Sequence, residues 1–219
     1  MISLAGRSRR EEERVEIALN YRGPLPNSRS NGAKLAKTRI RQQLHHQFDG
    51  LCRNSDLFRD ALRDDLAHAT IKSGDQRAEV SGAPYGSFYI VEFRGGVQFV
   101  PLLSRWNRRV CELTVQLWRR ADPGEILDPG GDVDNRVKTL FDGLRIPHSE
   151  DEIHPTAGTF GRCFCLLEDD ALITKLTIST HKMYRPIEGD EDTTYAELNM
   201  YVTVKATFPS VSNMPLSLV

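Results

Sequence analysis

The sequence predicts an α+β domain in which a mixed β-sheet packs against helices. Three observations predict it. Segments in which apolar and polar side chains alternate stand near both ends of the chain and in its middle. Between the first and the later ones lies a stretch with helical spacing, where Leu35, Ile40, Leu44, Phe48 and Leu51 recur every three to five residues. A second such stretch has Val137, Leu140, Phe141 and Leu144 at i, i+3, i+4 and i+7.

Taken in order, residues 1–14 are almost wholly polar and predict a flexible charged arm. The remainder, 15–219, reads as a single domain with a long connection at 145–168. In VEIALNYRG, Val15, Ile17 and Leu19 alternate with Glu16, Ala18 and Asn20 as a first strand. A loop rich in turn residues follows from Gly23 to Gly32, then a helix over 33–51. The opposite face of that helix carries Lys34, Lys37, Arg41 and His45. Ser55 as a cap and the stripe Leu57, Phe58, Ala61, Leu62 and Leu66 predict a second helix over 55–68, and 72–87 reads as loop. FYIVEF and VQFVPLL flank Arg94-Gly95-Gly96, which predicts a hairpin. Another strand alternates Cys111, Leu113, Val115 and Leu117 with Glu112, Thr114, Gln116 and Trp118. After a turn-rich linker from Asp122 to Gly131, a helix of about three turns begins near Asp134 or Asn135. Strands at ALITKLTIST and ELNMYVTVKATF complete the chain's regular elements.

The 29 basic and 30 acidic side chains leave a formal charge of −1, so the whole-chain balance does not mark a nucleic-acid partner. Residues 1–50, however, hold ten Lys or Arg against five acids, and Lys34, Lys37 and Arg41 are candidate phosphate contacts there. No apolar run approaches bilayer length, and MISLAGRSRREEER lacks the apolar core of a secretory leader, so a cytoplasmic protein without membrane contact is expected. Cys52, Cys111, Cys163 and Cys165 are too scattered for a disulfide framework and read as reduced packing residues.

The segment GDVDNRVKTLFDGL carries most of the chemistry. Phosphodiester hydrolysis needs a cation to offset charge on phosphate oxygens, and Mg²⁺ is held by a few carboxylates with water and substrate. Asp132 and Asp134 stand two apart at the entrance to a helix. The positive end of the helix dipole favours acidic groups there. Asp134, Lys138 and Asp142 follow one another at intervals of four, on one helical face. A second acidic pair, Asp169-Asp170, heads a predicted strand. Taken singly, the helical charges fit a solvated face with ordinary ion pairs, and the acidic pair fits a turn.

Together, DVDNRVKTLFDGL and EDDALITKLTI resemble the signature of the RusA family of Holliday junction resolvases. That signature runs Asp-x-Asp-Asn, a Lys one turn on, a further Asp in the same helix, then Asp-Asp before a strand. Asp132, Asp134, Asn135, Lys138, Asp142 and Asp169-Asp170 fall on it residue by residue, over about 110–182. More loosely, the strand, Pro- and Asn-bearing loop and helix at 15–51 are similar to the family's opening. The resemblance implies a RusA-like fold and an endodeoxyribonuclease of DNA recombination and repair. Asp132, Asp134 and Asp170 would bind Mg²⁺, with Mn²⁺ as its substitute, and Lys138 would act on the phosphate. Asp169 and Asp142 are the second choices among the acids. The resemblance also implies a homodimer that cuts branched DNA.

Asn135 reads as a helix cap, and His45-His46, His181, Trp106 and Trp118 as structural or solvent-facing groups. Two rival functions remain. One is a catalytically inactive relative that keeps the fold as a DNA-binding or assembly module. The other is a nucleotide-sugar enzyme using Asp132-x-Asp134, against which stands the lack of a sugar-nucleotide domain.

Overall fold

The computed structural model describes residues 15–64, 66–71, 78–81, 89–120, 133–156, 161–184 and 194–207. The class is α+β, with two mixed sheets in place of the one expected. The arm at 1–14 lies outside the described residues.

Alternation builds the first sheet. Strands β1 (Val15–Pro24), β9 (Tyr195–Ala206), β6 (Arg109–Arg119) and β8 (Ile173–Lys182) lie in the order β1-β9-β6-β8. The pairs β1/β9 and β9/β6 are antiparallel and β6/β8 is parallel. Their register sets Leu19 against Met200 and Met200 against Val115, so one face becomes a continuous apolar surface. Burial of that face is nearly complete at Ile17, Leu19, Leu113, Val115, Leu198 and Val202.

The second sheet has the order β3-β2-β4-β5-β7, from Ala78–Ser81, Ala67–Ile71, Ile90–Arg94, Val97–Leu103 and Arg162–Leu167. The hairpin β4/β5 forms as expected, and Gly95 and Gly96 turn it at φ of 53° and 78°. Two successive positive φ values match the twist of the flanking strands and suit glycine. Pro101 sits within β5 at no cost to the ladder, because pairing with β4 ends at Glu92 opposite Phe99.

Three expectations are corrected. No helix spans 55–68: α1 runs further than expected, from Ala33 to Asn54, so Ser55 follows its last residue and does not begin a new helix. A 3-10 turn, Arg59–Leu62, is enough to bury Phe58 and Ala61, and β2 begins at Ala67. Nor is 145–168 mere connection, since it contains β7. RCFCLL pairs in parallel with β5 and is buried on both faces, so it lacks the alternation that marks a half-exposed strand. The segment taken as loop at 72–87 contains β3, Ala78–Ser81.

Helix α1 joins the two sheets through both apolar and polar contacts. Ala36, Ile40, Leu44, Phe48 and Cys52, spaced by four, face the shared core. Gln47 accepts the N–H of Asn20 (3.0 Å) and donates to its carbonyl (2.7 Å). Gln43 does the same for Arg22 at 3.1 and 2.8 Å. The open edge of β1 is thereby satisfied by side-chain amides. On the other sheet, His45 accepts the N–H of Phe164 at 3.1 Å and stacks on its ring.

His45 is therefore a structural acceptor, neutral in the fold. Burial first, and the neighbouring His46 second, lower its pKa from the ordinary 6.5. A folded pKa below the unfolded one means that the unfolded chain takes up more protons as pH falls. The stability it contributes is present above the unfolded value and declines as pH drops below it. Urea midpoints should fall between about pH 7 and about pH 5, and His45→Gln should shallow that fall.

The helix α2 (Val133–Leu144) crosses α1 closely. A Cβ built on Gly143 would stand 2.7 Å from Ile40 Cγ2 and 2.9 Å from its Cβ. Gly143→Ala should cost about 1–3 kcal/mol by overpacking, despite alanine's better helix propensity. A lower urea midpoint at unchanged slope would register it. The four cysteines are free and buried, as expected of packing residues. No helix among the described residues is long and apolar enough to cross a membrane.

Candidate active site

Asp134 stands exposed in the first turn of α2, and Lys138 is exposed one turn later. The helix start is tied to the loop before α1. Arg136 Nη1 donates to Leu25 O at 3.0 Å, Thr139 Oγ1 donates to Pro26 O at 2.9 Å, and Ser28 N donates to Asn135 O at 3.2 Å. Loop 25–28 and the site-bearing half of α2 thus form one unit. Because the helix already begins at Val133, Asn135 lies inside its first turn and is not the cap expected of it.

The face that carries Asp134 and Lys138 does not stay in solvent. One turn further, Asp142 is buried under α1, with Lys37 Nζ at 2.7 Å and Arg145 Nη2 at 2.6 Å from its two oxygens. Arg41, also buried, donates to the carbonyls of Asp142 and Arg145 at the C-terminal end of α2. Arg145 continues the chain of charges to Glu152 at 3.2 Å.

This network shows what three of the expected residues contact in the fold. Asp142 holds the two helices together and has no free oxygen pair for a metal. Lys37 is largely buried in its ion pair, and Arg41 donates to backbone carbonyls. Lys34, the third basic residue assigned to DNA on this helix, is partly exposed and makes no ion pair or hydrogen bond among the described residues. Position along α1 explains the split: Lys37 and Arg41 fall where α2 crosses, and Lys34 lies before the crossing.

The second acidic segment divides in the same way. Glu168 is buried, with Arg105 Nε at 2.6 Å and the Arg105 N–H at 2.8 Å from its oxygens. Asp169 accepts the N–H of Ala171 at 2.9 Å and caps the 3-10 turn Asp170–Leu172. Asp170 is exposed. The turn that carries it approaches α2 to within 8 Å between Cα atoms. Asp134, Lys138 and Asp170 form no ion pair or hydrogen bond among the described residues, whereas Asp142, Glu168 and Asp169 are all engaged. The expected third ligand, Asp132, lies outside the described residues. Among the described residues no three His, Cys, Asp or Glu side chains assemble into a metal-binding group. Exposed carboxylates without cationic partners are the hard oxygen donors that Mg²⁺ takes.

His181 stacks on Trp118 with ring centroids 4.5 Å apart. In the acidic stretch at 149–155, Glu152 pairs with Arg145, and Glu150 Oε1 accepts the Gly95 N–H at 3.1 Å. Sequence reasoning missed Glu168 and Arg105 because their pairing joins residues 63 positions apart. The acidic run Glu188 to Asp192 lies outside the described residues. Compared with known proteins, the chain matches no family model, no curated protein and no solved structure.

Proposed function

We propose that this chain is a Mg²⁺-dependent endodeoxyribonuclease of RusA-like fold that cleaves branched DNA. Asp132, Asp134 and Asp170 hold the metal and Lys138 contacts the scissile phosphate. One observation carries the reading. Among the described residues, Asp142, Glu168 and Asp169 near α2 are engaged in ion pairs and a cap, whereas Asp134 and Asp170 are exposed and form no ion pair or hydrogen bond, on two elements that pack together.

Each residue then has a defined task. The start of α2 gives Asp134 a fixed position, because Arg136 and Thr139 bind that turn to loop 25–28. Asp170 leaves a turn that Asp169 locks through Ala171. Lys138, one turn beyond Asp134, meets the charge that builds on the phosphate in the transition state. Mg²⁺, when bound, lowers the pKa of a water molecule and offsets the phosphate charge.

The test is cleavage of matched four-way junction, fork and linear duplex substrates by the purified protein, with Mg²⁺ and with chelator. Branched substrates are expected to be cut in Mg²⁺ alone. A protein that binds junctions and cuts none of the substrates would instead support an inactive assembly module. The near-neutral chain and the withdrawal of Lys37 and Arg41 from the surface favour that second reading.

A further inference from the structure

Cys163 and Cys165 stand two apart on β7, so their side chains share one face of the strand. They lie among Val97, Phe99 and Ile146 and are 4 % and 1 % exposed. The two thiols are close enough to share a hydrogen bond, and the guanidinium of Arg41 lies beside both. Neither Cys52 nor Cys111 has another thiol acting on it among the described residues.

Arg41 is a buried cation whose hydrogen bonds go to the carbonyls of Asp142 and Arg145, and no carboxylate pairs with it among the described residues. Buried charges are ordinarily matched by an opposite charge. The neighbouring sulfurs are the groups that can supply one. We infer that Cys163 and Cys165 form a site for a soft monovalent cation, Cu(I), held between the two sulfurs with Arg41 as its counter-charge.

Charge and size select that occupant. Each thiol gives its proton to water and each sulfur forms one bond to the metal, so no oxidant or reductant takes part. Two thiolates around one Cu(I) leave a single negative charge, which the single positive charge of Arg41 matches. Thiolates are the soft ligands that Cu(I) prefers, and a closed-shell ion of this kind is satisfied by two of them. Zn²⁺ asks for four ligands, whereas no three His, Cys, Asp or Glu side chains come together among the described residues. A cleft of about 10 Å³, bounded by Arg41, Val97, Phe99 and Ile153, reaches Cys163. That is room for about one water molecule, enough for a bare ion and too little for an organic ligand. The inference goes beyond the nuclease reading and does not rest on it, since binding is measured without DNA.

Anaerobic titration of the reduced full chain against the coloured Cu(I) complex of bathocuproine disulfonate reads the binding. The wild type should withdraw one Cu(I) per chain. Cys163→Ser and Cys165→Ser should each weaken binding at least about a hundredfold, the upper end of what loss of a merely supporting group costs. Cys52→Ser should bind as the wild type does. Circular dichroism checks that the variants are folded. If a variant at 163 or 165 does not fold, X-ray absorption at the copper edge of the loaded wild type decides, with two sulfur neighbours expected. The proposal is overturned by a wild type that takes no Cu(I) from the chelator, by a folded Cys163→Ser that binds as tightly as the wild type, or by copper without two sulfur neighbours.

Discussion

Asp134→Asn is expected to lower Mg²⁺-dependent cleavage of branched DNA at least about a hundredfold, equivalent to about 2.7 kcal/mol of transition-state stabilisation. The exchange keeps size and helix position and removes only the charge and one anionic donor. Asp134 is exposed and makes no ion pair among the described residues, so nothing in the fold should respond. The loss should therefore appear in cleavage with the thermal midpoint unchanged. Asp170→Asn should behave in the same way, being exposed on the turn that packs against α2. Asp169→Asn is the informative contrast. Its oxygen caps the turn by accepting the Ala171 N–H, a task that an asparagine oxygen performs nearly as well. Single-turnover cleavage across a Mg²⁺ titration separates the three. Equal rates for wild type and Asp134→Asn would remove the mechanism.

Asp142→Ala is expected to have the largest effect on stability, a loss of about 3–5 kcal/mol, because it strands buried cations without a partner. Lys37 and Arg145 both reach the carboxylate, and only 13 % and 5 % of their side chains are exposed. Breaking the pair costs far more than the pair itself contributes, since the remaining charges stay desolvated. Urea denaturation gives the number directly, and a loss below about 1 kcal/mol would mean that water replaces the carboxylate. The same group makes stability depend on pH. Burial by itself would raise the Asp142 pKa, but the hydrogen bond from Lys37 and the charge of Arg145 outweigh it and hold it below the ordinary 3.8. A folded pKa below the unfolded one contributes stability that is present above the unfolded value and is lost as pH falls through the folded value. Acid unfolding should thus begin at a higher pH in Asp142→Asn, which cannot carry the charge.

These two aspartates show how far the sequence speaks and where it falls silent. They stand eight residues apart on one face of one helix, each with a cation four or three positions away. Helical spacing alone makes them equivalent. They differ because α1 crosses α2 at Gly143, over Asp142 and away from Asp134. The same crossing engages Lys37 and Arg41 in contacts with α2. A motif reports which residue types are present at which intervals, whereas engagement depends on what packs over them.

The sequence by itself determined the elements whose surroundings differ on two sides. Alternation marked β1, β6 and β9, because one face of each meets the core and the other meets water. Spacing by three and four marked α1 and α2 for the same reason, and paired glycines marked the hairpin because its turn needs positive φ. Tertiary structure alone decided the rest. Strand β7, buried on both faces, carries no alternation to read. The 57–66 stripe meets the core through Phe58, Ala61 and Leu66, yet only one 3-10 turn, Arg59–Leu62, forms along it. Which acids are left unpaired among the described residues is set by contacts between residues up to a hundred or more positions apart, which no local pattern encodes.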